Sequence, residues 1–316
     1  MEKIFITDVS PRDGLQNQAA QVSTEAKLQL IRQLSEAGVA SIEATSFVSP
    51  KAVPQMADAA ELLRQLNRAF PELRTSVLVP NLKGLERAYA AGAKEIAVVL
   101  SATEKMNQRN INMSLEAAVT ASEQTLRRAR EHGLRTRAYV AVAFECPFEG
   151  PPALDRVVTL ANKMLKAGAD EIVIADTIGA ASPADVKERM TALADVIPIS
   201  KLAIHLHDTR GMAIANAWAS LEVGVRRFDS SAGGIGGCPF APGAAGNLAT
   251  EDLVLMTERS GFSTGIDLDL LLAAVDFAEN VLQRGLGGRA SMWLRRQRET
   301  RRVTVLDMKG VKPQTM

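Results

Sequence analysis

The sequence predicts an α/β protein folded as a (β/α)8 TIM barrel with an additional C-terminal helix or helices. Two observations carry that reading. Four segments repeat one pattern, a helix running out at Gly and a short apolar run after it: Ala37-Gly38-Val-Ala-Ser-Ile42, Ala91-Gly92-Ala-Lys-Glu-Ile96, Ala167-Gly168-Ala-Asp-Glu-Ile172 and Val223-Gly224-Val-Arg-Arg-Phe228. Gly just past a helix end takes the left-handed conformation that a helix-to-strand turn needs. The runs that follow are short and rich in β-branched residues, as strands buried on both faces are.

In chain order, strands are expected at 4–9, 41–47, 74–79, 95–101, 136–143, 171–176, 201–207 and 226–231. Helices are expected between them at 24–37, 57–68, 81–91, 114–132, 153–167, 183–195 and 211–223. Ser23 or Thr24 caps the first and Ser114 opens the longest. An open doubly wound sheet is the competing architecture, but no G-x-G-x-x-G turn follows the first strand. Past the barrel, one amphipathic helix is expected near Leu268–Leu282. The basic tract 289–302 reads as a solvated, mobile end rather than a phosphate site. The whole chain, 1–316, is expected to be a single catalytic domain, barrel to about 262 and helical extension from about 263.

Composition excludes several function classes. The 37 Lys+Arg and 36 Asp+Glu leave a net charge of +1, too little for a general nucleic-acid binder. No apolar run approaches the roughly 18 residues of a membrane span. The start, Met1-Glu-Lys-Ile-Phe-Ile-Thr-Asp8, meets an acid before any signal-like stretch forms, so a soluble, cytoplasmic protein is expected. Two cysteines, Cys146 and Cys238, make neither a disulfide framework nor a Cys-rich zinc site.

In a barrel, the carboxyl ends of the strands build the active site. His205 and His207 end the seventh strand, and residues i and i+2 of a strand share a face, so both rings can meet one centre. Two of the chain's three histidines stand here, and with a carboxylate they suit a divalent metal that keeps open positions. Asp13, after the first strand, can supply that carboxylate, and Arg12 beside it can hold a developing oxyanion. Glu43 lies inside the second strand, where a carboxylate needs a partner, and Arg12 is the candidate. Asp176 ends the sixth strand, either supporting the site or forming a turn, and Asp8 is a further possible partner. The glycine-rich loop 233–247 can open and close over a site, bringing the Cys238 thiol as a proton carrier and the Asn247 amide oxygen as a ligand. Cys146 reads as a small buried hydrophobe.

These residues resemble the 3-hydroxy-3-methylglutaryl-CoA lyase family. The resemblance rests on Pro11-Arg-Asp-Gly-Leu-Gln-Asn17, Ile42-Glu-Ala-Thr-Ser-Phe-Val-Ser-Pro50, Pro54-Gln-Met56, Pro80-Asn-Leu-Lys-Gly84, Asn110-Ile-Asn112, Asp176-Thr-Ile-Gly179, His205-Leu-His-Asp-Thr209 and the glycine loop, in that order. It implies cleavage of hydroxymethylglutaryl-CoA to acetyl-CoA and acetoacetate with Mg2+ or Mn2+. By the family pattern Asp13, His205, His207 and Asn247 would hold the metal, Arg12 the enolate oxygen, and Cys238 would transfer a proton. Glu43 and Asp176 would orient the others, and His205, then Asp13, is the expected base. An acyl-CoA substrate and a homo-oligomer are the partners the resemblance implies, with no nucleic acid and no membrane. Citramalyl-CoA or a longer branched 3-hydroxyglutaryl-CoA is the alternative substrate. A Claisen-type synthase or aldolase and a non-catalytic acyl-CoA-binding barrel are the remaining readings.

Overall fold

The computed structural model describes residues 1–237 and 246–308, the side chains of 301–308 excepted. Eight parallel strands close into a barrel in sequence order: β1 (Phe5–Asp8), β2 (Ser41–Ser46), β3 (Arg74–Leu78), β4 (Glu95–Ser101), β5 (Arg135–Ala141), β6 (Glu171–Asp176), β7 (Leu202–Leu206) and β8 (Arg227–Ser230). β8 returns to β1 in register, Phe5 against Arg227 and Asp8 against Ser230. Around it run α1 (Thr24–Glu36), α2 (Ala59–Ala69), α3 (Leu82–Ala90), α4 (Glu104–Ile111), α5 (Leu115–Glu131), α6 (Leu154–Ala167), α7 (Pro183–Ala194), α8 (Ala213–Val223) and α9 (Thr250–Arg259). The C-terminal extension adds α10 (Leu268–Leu282) and α11 (Ser291–Met308). The expected strands are all present, with ends displaced by one or two residues, the usual fraying of element boundaries.

The four repeated turns have the expected backbone: Gly38, Gly92, Gly168 and Gly224 all sit at φ between +90° and +111°. Gly38 carries a second constraint, because a Cβ there would lie 2.3 Å from the Gly265 carbonyl oxygen, whereas one on Gly261 (φ +88°) meets nothing. Gly261→Ala is therefore expected to cost about 1–2 kcal/mol, the left-handed penalty alone. Gly38→Ala should cost clearly more, and equal melting temperatures for the two variants would contradict that.

Three helices were not anticipated, α4, α9 and α11. The basic tract is the main correction. Instead of a mobile end it forms most of α11, which buries Leu294 and pairs Arg295 with Asp276 and Glu279 (2.9 and 2.8 Å) and Arg298 with Asp276 (2.8 Å) on α10.

Alternation sorts the strand residues into an outer core beneath the helices and a barrel interior. At mid-height the interior is apolar, Leu78, Ala97, Tyr139, Val173 and Ala203 packing together. Towards the amino ends of the strands it is charged, with Arg74 on Glu95 (2.7 Å) and Arg137 on Glu171 (2.7 Å). His205 faces inward two residues beyond Ala203 on β7, so the apolar layer floors a polar rim at the carboxyl end.

Candidate metal centre

A π-helical turn, Ser10–Gly14, follows β1 and delivers Arg12 and Asp13 to the rim. Such widened turns recur at functional sites because they displace a side chain from the regular spiral. Asp8 secures this turn to the segments that follow β8 at the same rim. It accepts from the Ser10 amide and hydroxyl, the Ala232 amide (3.0 Å) and the Thr250 hydroxyl (2.8 Å), so it is a seam between β1 and β8 rather than a partner of Arg12.

His205 Nε2 and His207 Nε2 lie 3.1 Å apart. Asp13 Oδ2 is 3.9 Å from the first and 4.0 Å from the second. Asn247 reaches the same point from the far stem of the glycine loop. It forms an antiparallel bridge with His207, and Leu248 N donates to Leu206 O at 2.8 Å. Its Nδ2 donates to Asp13 Oδ2 (2.9 Å) and Ile235 O (3.0 Å), while its buried Oδ1 has no partner.

These atoms fit a divalent cation. Neighbouring ligands of an octahedral ion with bonds of about 2.1 Å lie about 3.0 Å apart, and opposite ones about 4.2 Å. The imidazole pair and the carboxylate fall inside that span. Asn247 meets the cluster through Nδ2, and its buried, unpartnered Oδ1 would serve as a fourth donor with the amide turned over. Two imidazoles and a carboxylate without thiolate suit a divalent cation.

Electrostatics keep Asp13 ionised and His207 neutral, while the acids around His205 favour a proton that a cation would have to displace. Burial alone would raise Asp13, but Arg12 and the two imidazoles outweigh it and hold the carboxylate at about 2. Burial and the neighbouring His205 push His207 down to about 4, leaving its ring neutral. His205 is raised despite its burial, because Asp229 and Asp13 favour its charged form.

Arg12 is clamped from both sides. Its Nε and Nη2 lie 2.6 and 2.5 Å from Glu43 Oε2, and Nη1 donates to Asp13 Oδ1 at 2.6 Å. The expected partnership of Glu43 and Arg12 is thus present, and it leaves two guanidinium N–H groups for a ligand. Asp176 accepts from the Ala180 and Ala181 amides (2.8 and 3.0 Å), which makes it the anchor of the turn after β6. Burial pushes its carboxyl up to about 6. Cys146 is buried and accepts from the Thr103 hydroxyl at 3.1 Å. Cys238 lies outside the described residues.

Three interior residues escaped the sequence reading. Asp229 on β8 accepts from Arg137 Nη2 (2.7 Å) and the Tyr139 hydroxyl (2.7 Å), and its Oδ2 lies 3.3 Å from His205 Nδ1. The contact to Nδ1 turns the lone pair of Nε2 towards His207 and Asp13, as metal-binding histidines require. The rule applied to Glu43, that a charge inside a barrel strand needs a reason, would have found Asp229 and Arg137 as well. A cleft of about 570 Å³ opens above this floor, with Arg12, Asp13 and both histidines at one end. Leu78, Val99, Met106 and Arg109 line its other side.

The HMGL-like family model matches residues 3–277. Among relatives, the mitochondrial hydroxymethylglutaryl-CoA lyase of Rattus norvegicus is 45% identical over 283 residues, 90% of this chain and 87% of its own. The solved HMG-CoA lyase from Brucella melitensis superposes with a TM-score of 0.86 at 44% identity, over 90% of this chain and 100% of that one. An HMG-CoA lyase from Acinetobacter baumannii, in complex with coenzyme A and 3-methylmalate, gives 0.87 at 40% identity, over 92% and 94%. With the metal-ready rim of the barrel beneath that match, the chain belongs to the HMGL-like family.

Proposed function

We propose that this protein is a divalent-metal-dependent carbon–carbon lyase that cleaves 3-hydroxy-3-methylglutaryl-CoA to acetyl-CoA and acetoacetate. The observation that carries the reading is the convergence of His205 Nε2, His207 Nε2 and Asp13 Oδ2, with Asn247 bonded to that carboxylate, at one end of a cleft that also presents Arg12. The similarity to lyases of that name over nine tenths of the chain supports the substrate.

Cleavage needs the tertiary hydroxyl to lose its proton and the thioester side to accept an electron pair. Held by Asp13, His205, His207 and Asn247, Mg2+ or Mn2+ would supply Lewis acidity that lowers the pKa of that hydroxyl. The proton has two acceptors in the cluster, His205 Nε2 and Asp13 Oδ2. Both atoms also belong to the donor set, so the base is whichever the cation leaves free. As the C2–C3 bond breaks, its electron pair passes to the thioester, and the charge grows on an oxygen that the free N–H groups of Arg12 can hold. Glu43 and Asp13 fix the guanidinium so that it needs no reorganisation at that moment. The enolate carbon then takes a proton, the step for which the resemblance implies Cys238.

The test is to strip the protein with chelator, reload it with Mg2+ or Mn2+, and follow hydroxymethylglutaryl-CoA by mass spectrometry. Acetyl-CoA and acetoacetate are expected together, and in the reloaded sample alone. A reloaded sample that leaves hydroxymethylglutaryl-CoA intact but cleaves citramalyl-CoA would overturn the substrate and keep the reaction type.

A further inference from the structure

The barrel has a second polar cavity, at the opposite end from the metal centre. It measures about 80 Å³ and lies among the amino ends of β1, β2, β3, β5 and β8. Four cations line it, Lys3, Arg74, Arg137 and Arg227, against one carboxylate, Glu171.

The surroundings neutralise only part of that charge. Arg74 places Nε and Nη2 on Glu95 (2.7 and 2.8 Å). Arg137 divides its guanidinium between Glu171 and Asp229, both at 2.7 Å. Arg227 puts Nη1 on Glu171 at 3.3 Å and Nε on the Ser200 carbonyl at 2.8 Å. Among the described residues, Lys3 has no ion pair; its ammonium sits 5.6 Å over the Phe5 ring, which Arg227 also covers at 4.7 Å. Arg74 Nη1, Arg227 Nη2 and Lys3 Nζ therefore keep donors with no protein acceptor among the described residues. Ser41 Oγ, on the same wall, accepts from Thr7 at 3.2 Å and keeps its own proton to give.

We propose that this cavity is a binding site for a small tetrahedral oxyanion of the sulfate or phosphate class. Three cations with unpaired donors and a hydroxyl line one space that opens at the Lys3 rim, and the local charge stays positive after Glu95, Glu171 and Asp229 are counted. Charge-assisted bonds from guanidinium groups suit such an ion, whose oxygens take several donors at once. The space holds a few waters or one small ion and has no room for a nucleotide. The site stands apart from the lyase chemistry, and its test does not depend on that chemistry.

The probe is inorganic sulfate at 20 mM, compared with sodium chloride at the same ionic strength, on the full metal-loaded chain. The melting temperature of the native sequence is expected to rise by about 3 °C, as an ion present well above its Kd produces. Arg227→Gln should reduce the rise to below about 1 °C. Lys3→Ala, on the exposed rim where folding is not at risk, should halve it. Each variant is compared with its own chloride baseline, so lost stability does not mimic lost binding. Turnover of both variants should match the native sequence. The same rise in all three proteins would assign the effect to general salting, and no rise in the native sequence would remove the site.

Discussion

Replacing Arg12 by Gln lowers turnover by about 10²–10³-fold while metal content stays full; that is the expected result, and its size follows from losing one preorganised donor group at an oxyanion. Arg12 touches none of the free lone pairs of the histidine pair, so the metal donors survive the change. Two side effects complicate the measurement. Glu43 is fully buried, already raised by that burial, and would lose its cation; it is then expected to take up a proton rather than stay charged. Asp13 would lose the guanidinium that holds it low, although both imidazoles still favour its ionised form. Metal content, melting temperature and kinetics therefore belong in one experiment. A fall in kcat with KM nearly unchanged marks an interaction made in the transition state. Native kcat in a metal-replete Arg12→Gln sample would remove Arg12 from enolate stabilisation. Arg12→Lys is no conservative substitute, because a single ammonium cannot bridge Glu43 and Asp13 while keeping donors for substrate.

How much of this could be read without coordinates differs sharply between parts of the chain. The barrel was legible because four of its helix-to-strand turns carry local punctuation, a left-handed Gly and then an apolar run too short for a helix. The helices that stayed hidden lack the full signal; α9 ends at a left-handed Gly261, but no apolar run follows it. α9 opens with Thr250-Glu-Asp, which reads as a solvated first turn, yet Glu251 is buried and accepts from the Gly233 and Gly288 amides and the Ser291 hydroxyl. Asp252 likewise takes the Arg289 and Ala290 amides. Their partners lie 18 to 40 positions away along the chain, so no local pattern announces them. α11 is polar on most sides and owes its place to ion pairs with α10, again a tertiary cause. At the site, the short list of strand ends put forward Asp13, His205 and His207, which the fold brings within 4.8 Å of one another, and the glycine loop put forward Asn247, which bonds Asp13. Asp8 and Asp176 passed the same filter, but their oxygens are taken up by backbone amides and hydroxyls. Residue type and strand end cannot tell a ligand from a turn anchor; only the count of donors already satisfied does.

Asp229→Asn should weaken metal binding by about 10–100-fold although Asp229 has no place among the donors. It should also cost about 3–5 kcal/mol of stability, the range for breaking a buried ion pair from one side. The two oxygens of Asp229 have different tasks: Oδ1 accepts from Arg137, and Oδ2 serves Tyr139 and His205. An amide keeps only one acceptor. With its nitrogen on the Oδ2 side, His205 Nδ1 must become the acceptor, the ring proton moves to Nε2, and the lone pair is withdrawn from the metal position. With its nitrogen on the Oδ1 side, it meets the Arg137 guanidinium donor to donor, and Arg137 retains Glu171 as its one charged partner beside the Tyr139 hydroxyl. The first orientation spends metal affinity and the second spends stability, so the variant should show some of each. Metal titration of the stripped protein and a thermal melt in chelator separate them. Reduced stability with native metal affinity would make Asp229 a strut of the barrel interior and no more. Reduced affinity at native stability would place its whole contribution in the orientation of His205.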